Sequence, residues 1–180
     1  MDETSTTVSP TSVSYTNFVP APSLPLDDEA VADTAAPAPA PESLRQLVDA
    51  IVALPSIELT DDVKCLATAV YFESKGEPIE GQLAVAQVIM NRVESGRYAG
   101  STCGVIHQAG QFSFSRGGRT AAISEGHAWR TAQAVAVIAA TGNWKEVVGD
   151  ATAFHATRVS PKWAMKRVSR IGNHIFYAAR

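Results

Sequence analysis

From Ser43 onward, apolar residues recur at helical spacing. Between Ser43 and Leu54 they fall at Leu44, Leu47, Val48, Ile51 and Val52, the three-and-four rhythm of a helix with one buried face. Pro55 ends that helix, because proline has no N–H to give and its ring clashes with the preceding turn. A second helix is predicted to run to about Ser74, with Thr60 or Asp61 as its cap and acidic residues in its first turn. Gly76 supplies a left-handed residue after it, and Pro78 stands where a third helix starts. That third helix, roughly 79–94, is apolar around most of its surface (Leu83, Ala84, Val85, Ala86, Val88, Ile89, Met90, Val93), which predicts a central place in the core.

Beyond Gly96 the pattern changes. Thr102–Gln108 reads as a short helix, Gln111–Ser115 (QFSFS) alternates like a strand, and residues 115–120 (SRGGRT) read as a loop. His127–Ala140 is a further helix, ended by Gly142. Three strands follow in the pattern, at Ala151–Ala156, Arg167–Ile171 and His174–Tyr177, with Gly172-Asn173 as the turn of a hairpin. The expected fold is α+β: a mostly helical body with a small antiparallel β-sheet.

Residues 1–42 break with this patterning. They are rich in Ser, Thr, Pro, Ala and Asp, and AAPAPAPES (35–43) reads as an extended linker. Such a segment buries too little apolar surface to offset its ordering entropy, so 1–42 is expected to be a disordered tail that tethers a domain at 43–180. The net charge of −3 is unevenly spread. Residues 1–60 hold nine Asp or Glu against one basic residue, Arg45, whereas 61–180 holds fourteen Lys or Arg against nine Asp or Glu. The second segment is mildly basic, which suits an anionic polymer or an ordinary mixed surface, and falls short of the basic density of a nucleic-acid grip. No apolar run reaches the roughly 18–20 residues of a membrane helix. Residues 1–30 show no basic-then-apolar export signal.

Glu73 is the sharpest anomaly. Leu66, Ala69 and Val70 define a buried stripe, and Glu73 continues it, beside Tyr71 and Phe72. A desolvated carboxyl group keeps its proton to higher pH, and an acid that stays protonated near neutrality is what glycosidic cleavage needs. Periodicity also allows a helix-end Glu that reaches solvent or an arginine. Cys65 and Cys103 match no metal spacing. They are either a disulfide closing a long loop, worth ~3–4 kcal/mol, or two buried thiols.

The run CLATAVYFESKGEPIEGQLAVAQVIMNRV (65–93) resembles the signature of the cell-wall hydrolase family that contains the spore cortex-lytic enzymes. Glu73-Ser74-Lys75-Gly76-Glu77-Pro78 is similar to that family's Glu-Ala-Arg-Gly-Glu-Pro. Glu80-Gly81-Gln82 and Asn91-Arg92-Val93 follow in order. So do Cys103-Gly104-Val105-Ile106, Gln111-Phe112-Ser113, Phe154-His155-Ala156, Trp163 and Ile171-Gly172-Asn173-His174-Ile175-Phe176-Tyr177. The likeness spans about 61–180, and only Ser74 and Lys75 depart from the first motif.

The resemblance implies a lysozyme-like fold and action on the β-1,4 bond between N-acetylmuramic acid and N-acetylglucosamine of peptidoglycan. It carries the catalytic acid onto Glu73. Lytic transglycosylases of this kind need one carboxyl group, whereas a hydrolase normally has a second about 5–10 Å away. Glu77 and Glu80 read as structural groups at the next helix start, and Asp150 and Glu125 lie on loops. The expected substrate-binding residues are Gln111, Phe112, Ser113, His155, Trp163, His174 and Tyr177. Of these, Phe112 has core packing as its rival reading, and Trp163 is either a sugar platform or a core anchor. Gln87 and Asn91, four apart, are expected to form an internal polar network. His155 and His174 have no Asp or Cys at ligand spacing, so neither a metal nor another cofactor is expected. A wall substrate would put the protein in the periplasm or at the cell wall. A non-catalytic wall-binding module is the rival from another class, and a peptidase acting on the stem peptides ranks last.

Overall fold

The computed structural model describes residues 41–179 apart from 117, 118 and 125. The expected tail therefore lies almost wholly outside the described residues, and so does Glu125. The elements run α1 (Leu44–Val52), α2 (Asp61–Ser74), α3 (Ile79–Glu94), α4 (Thr102–His107), β1 (Ser115–Arg116), β2 (Arg119–Thr120), α5 (His127–Thr141), β3 (Ala153–Ala156), β4 (Lys166–Ile171) and β5 (His174–Ala178). The fold is α+β, a helical body with a three-stranded antiparallel sheet in the order β3-β5-β4.

The caps explain where the helices begin. Ser43 and Gln46 form a reciprocal capping box on α1. Thr60 Oγ1 accepts the Val63 N–H to open α2. Gly76, at φ +88°, lets the chain turn out of α2 in a conformation that side-chain-bearing residues rarely adopt. Pro78 precedes the first turn of α3 and accepts the Gly81 and Gln82 N–H groups at 2.8 and 3.0 Å.

Every residue of α3 from Gly81 to Ile89 is buried. Leu83, Val85, Val88 and Ile89 meet Leu66 and Val70 of α2, Ile106 of α4, and Val135 and Ile138 of α5 in one core. Burying each such side chain contributes about 1.5–3 kcal/mol relative to exposure. Cys65 and Cys103 are joined in a disulfide that ties α2 to α4. Beside it, Asp62 Oδ1 accepts the Thr102 hydroxyl and the Cys103 N–H at 2.9 and 3.0 Å.

The polar residues of α3 do not form the network with one another that their spacing predicts. Each instead clamps the segment leading to β3. Gln87 donates to the Lys145 carbonyl at 3.1 Å and accepts the Val147 N–H at 2.9 Å. Asn91 donates to the Gly149 and Ala151 carbonyls at 2.6 and 2.9 Å. Arg92 Nε donates to the Thr152 carbonyl at 2.7 Å. Backbone acceptors on an irregular segment need partners, and these three side chains supply them while fixing the sheet against the helices.

Two expectations fail between Gln108 and Thr120. Residues 111–114 form turns, closed by Gln111 N–H to Gln108 O at 3.2 Å and Ser115 N–H to Phe112 O at 3.3 Å. The alternation in QFSFS serves two phenylalanines that enter the core from a turn, Phe112 and Phe114. The expected loop at 115–120 carries instead a short antiparallel ribbon, with Ser115 opposite Thr120 and Arg116 opposite Arg119.

Candidate active site

The last turn of α2 delivers Glu73 to a cleft of about 590 Å³ between the helices and the sheet. Phe72 and Ser113 edge it on the helical side, and Phe154, His155, Arg158 and His174 on the sheet side. A concavity of similar size, about 600 Å³, is edged by Glu42, Gly142, Asn143, Trp144 and Lys145. It shares no residue with the Glu73 cleft and gathers no comparable set of titratable groups.

Glu73 is half-buried on the face of α2 that its apolar neighbours define. Desolvation raises its pKa above the ordinary carboxyl value, and the positive charge of Arg92 offsets part of that rise. The result is a carboxyl group that holds its proton to higher pH than a free one, with a nearby cation able to stabilise the carboxylate once the proton has left. Arg92 is itself buried. Its Nη1 donates to Gln111 Oε1 at 3.2 Å, and its guanidinium lies 5.2 Å from the Tyr98 ring centroid and 5.5 Å from that of Phe112.

Glu77 edges the same cleft. Its Oε2 accepts the Asn173 backbone N–H at 2.9 Å and its Oε1 accepts the Asn173 amide at 3.0 Å. Desolvation pushes the Glu77 pKa up, but the two bonds from Asn173 and the charge of His174 outweigh it and leave the group below its ordinary value. The structural role expected for Glu77 takes an unexpected form, since its partners lie in the β4–β5 turn and not at the start of α3.

His174 is buried, faces Phe154 edge-on with ring centroids 5.4 Å apart, and has a buried Nδ1 without a hydrogen-bond partner. Desolvation lowers its pKa. Glu77 opposes that shift, and Arg158 and His155 reinforce it. On the other side of the sheet, His155 Nε2 and the Tyr177 hydroxyl share a 3.0 Å hydrogen bond. Trp163, 43% exposed, stands nearly perpendicular to both rings, with centroid distances of 5.4 and 5.7 Å.

The expected site residues thus separate. Glu73, Ser113, His155 and His174 meet at the cleft, and Tyr177 and Trp163 join through His155. Phe112 does not. It is 5% exposed, packed against Phe114, and belongs to the core, which removes it from the sugar-binding set. Gln111 is exposed but spends its carbonyl on Arg92 and does not edge the cleft. Asp150 edges a different concavity, with Asn91 and Arg97. Sequence reasoning missed Arg92, Arg158 and the Glu77–Asn173 pair. For Arg92 the signal was available: a cation in the last turn of a helix that is apolar around most of its surface, four residues before Gly96. Among the described residues no group of three or more His, Cys, Asp or Glu side chains is arranged to hold a metal.

Comparisons with known proteins agree on a family. The family described as Cell Wall Hydrolase matches residues 76–177, a segment that starts three residues after Glu73. The chain is 34% identical over 121 residues to the spore cortex-lytic enzyme of Bacillus cereus, covering 64% of this chain and 44% of that protein. It is 34% identical over 134 residues to the spore cortex-lytic enzyme of Bacillus subtilis, covering 71% of this chain and 41% of that protein. The chain therefore spans less than half the length of these curated relatives. Among solved structures, it is similar to the catalytic domain of the Bacillus cereus SleB protein, with a TM-score of 0.57 and 31% identity over 69% of this chain and 94% of that one. It is also similar to the catalytic domain of the germination-specific lytic transglycosylase SleB from Bacillus anthracis, with a TM-score of 0.51 and 31% identity over 69% of this chain and 99% of that one.

Proposed function

The chain belongs to the cell wall hydrolase family, and from that membership we propose that it cleaves the β-1,4 bond between N-acetylmuramic acid and N-acetylglucosamine in peptidoglycan, as a lytic transglycosylase. One observation carries the reading: Glu73, its pKa raised by burial, lies inside a cleft whose other described carboxylate, Glu77, has both oxygens engaged by Asn173.

A single carboxyl group is sufficient for the reaction. Glu73 donates its proton to the glycosidic oxygen, and the bond from that oxygen to C1 of the muramic sugar breaks as positive charge develops on C1. The Glu73 carboxylate, with Arg92 near enough to stabilise it, then takes the proton of the same sugar's O6 hydroxyl. O6 attacks C1, closes a 1,6-anhydro ring, and leaves Glu73 protonated for the next cycle. No water is consumed. A hydrolytic outcome would call for a second free carboxylate to activate water or attack C1, and Glu77 would have to abandon Asn173 to serve.

His155, His174, Ser113, Tyr177 and Trp163 are the proposed sugar-binding residues, and 43–180 is the proposed wall-cleaving domain, with 1–42 as its tether. A wall substrate puts the protein's work in the periplasm or at the cell wall. The test is digestion of purified sacculi by the full chain and its Glu73→Gln variant. General acid–base catalysis contributes about 10²–10⁴-fold, so the variant should lose at least a hundredfold in rate. Wild-type binding without released fragments would favour a non-catalytic wall-binding module, and cut peptides would favour a peptidase.

A further inference from the structure

The sheet has a core face and an open face. Along β5 the burial alternates: His174, Phe176 and Ala178 are buried, while Ile175 and Tyr177 between them are not. Directly opposite residues on antiparallel strands share a face. Ala153 and His155 of β3 stand opposite Tyr177 and Ile175, so they share the open face. On the far side of β5, Arg167 stands opposite Tyr177 and Arg170 opposite Ile175.

Arg167 and Arg170 are three residues apart, and in a regular strand residues three apart point to opposite faces. They share a face because the register shifts between Arg167 and Ser169, leaving Val168 as the extra residue of a bulge. Ser169 and Ile171 keep to the core face, opposite Phe176 and His174. Charged side chains scattered on an edge strand are a common defence against edge-to-edge pairing. A bulge that brings two arginines to the same side, beside an aromatic cluster, is a more specific arrangement.

That cluster consists of His155 and Tyr177, stacked with centroids 5.3 Å apart and an interplanar angle of 24°, and Trp163, edge-on to both. His155 also edges the Glu73 cleft, so the open face and the cleft are continuous. Residues 151–180 include six Lys or Arg and no Asp or Glu, so this segment brings no acidic side chain of its own to the arginines.

Building on the proposed glycan cleavage, we propose that the open face of the sheet is a second binding surface for the same polymer. There Trp163, Tyr177 and His155 hold a sugar ring of the strand outside the cleft, and Arg167 and Arg170 take a carboxylate of the peptide substituent on a neighbouring muramic residue. Saccharide rings present C–H faces that suit aromatic edges and planes. The planar guanidinium fork suits a carboxylate and distinguishes arginine from lysine in this role. A strand stripped of its peptides keeps a lactyl carboxylate close to each muramic ring, so what favours the peptide-bearing strand is the reach of the peptide's own carboxylates to the arginines.

Binding can be separated from cleavage by working in the Glu73→Gln chain with soluble glycan strands, either carrying their peptides or stripped of them by an amidase. Adding Arg167→Ala and Arg170→Ala together should weaken binding of the peptide-bearing strands about tenfold, and of the stripped strands by much less. Adding Trp163→Ala should weaken both to a similar degree. All these positions are on the surface, and thermal unfolding of each variant checks that the fold is intact. Equal losses on both strands from the arginine pair, no loss on either, or no measurable binding of peptide-bearing strands would overturn the proposal. Wild-type cleavage of the same strands is scored separately. Peptide-dependent binding without cleavage removes the catalytic reading alone, and cleavage without peptide-dependent binding removes this inference alone.

Discussion

Glu77 and Asn173 stand 96 residues apart in sequence and share two hydrogen bonds, at 2.9 and 3.0 Å, that fasten the β4–β5 turn to the junction of α2 and α3. Glu73 lies just before that junction and the turn leads into His174, so this pair joins the two sides of the cleft directly, beside the clamps that Gln87, Asn91 and Arg92 make. Gly172 belongs to the same contact. At φ +54° it sits where L residues are strained, and a Cβ added there would collide with Glu77 Oε2 and press on Pro78 Cδ at 3.1 Å.

Breaking this clamp should cost both stability and activity. Glu77→Ala is expected to lower unfolding free energy by about 1–2 kcal/mol, the range for losing hydrogen bonds to a charged but partly solvated group. Gly172→Ala should cost a similar amount, about 1–2 kcal/mol, through left-handed strain and displacement of Glu77. Since the folded pKa of Glu77 lies below its ordinary 4.5, the clamp's contribution is present above that value and is lost as pH falls through the folded one. Denaturant titrations of wild type and Glu77→Ala at several pH values should therefore converge in acid.

Glu73 has the opposite sign. Its folded pKa is raised above 4.5, so the wild-type chain is relatively favoured below that value and loses stability as pH rises through the folded pKa. Glu73→Gln keeps the shape without the charge. It is expected to melt higher than wild type near pH 7 and at the same temperature near pH 3, a stability–activity trade-off at one residue. Thermal scans at the two pH values check this.

Removing the Arg92 charge lets Glu73 hold its proton to still higher pH. Arg92→Met should shift the alkaline limb of the pH–activity profile upward. The same change leaves the Thr152 carbonyl without its 2.7 Å partner and should cost about 1–3 kcal/mol in stability. A purely structural arginine would give the second effect and leave the limb where it was.

The Cys65–Cys103 bond spans 38 residues of sequence, and a loop of that length implies about 3–4 kcal/mol of stabilisation on the chain-entropy model. A Cys65→Ala, Cys103→Ala chain should unfold at correspondingly lower denaturant, and added thiol should lower wild-type stability without affecting the variant.

Several local signals in the sequence were faithful. The Thr60 cap, the Gly76 exit, the Gly142 stop and the Gly172-Asn173 turn all fall where their residue types predict. The inward stripe of α2 foretold that Glu73 would be partly desolvated. QFSFS misled because alternation with period two is shared by a half-buried strand and by a turn that drops two phenylalanines into the core. Gln87 and Asn91 misled because four-residue spacing shows only that two side chains share a helix face, and not which backbone will meet them. The Glu77–Asn173 pair and the bulge at Val168 arise only when distant segments come together, and nothing within a few residues of either announces them.

The most direct measurement is the mass of the fragments that the full-length chain releases from purified peptidoglycan. Cleavage by Glu73 with closure of the O6 ring predicts disaccharide-peptides ending in 1,6-anhydro-muramic acid, each lighter by one water than a reducing-end product, and none from the Glu73→Gln chain. Reducing muramic ends from wild type, or anhydro products that persist in Glu73→Gln at an unchanged rate, would contradict it.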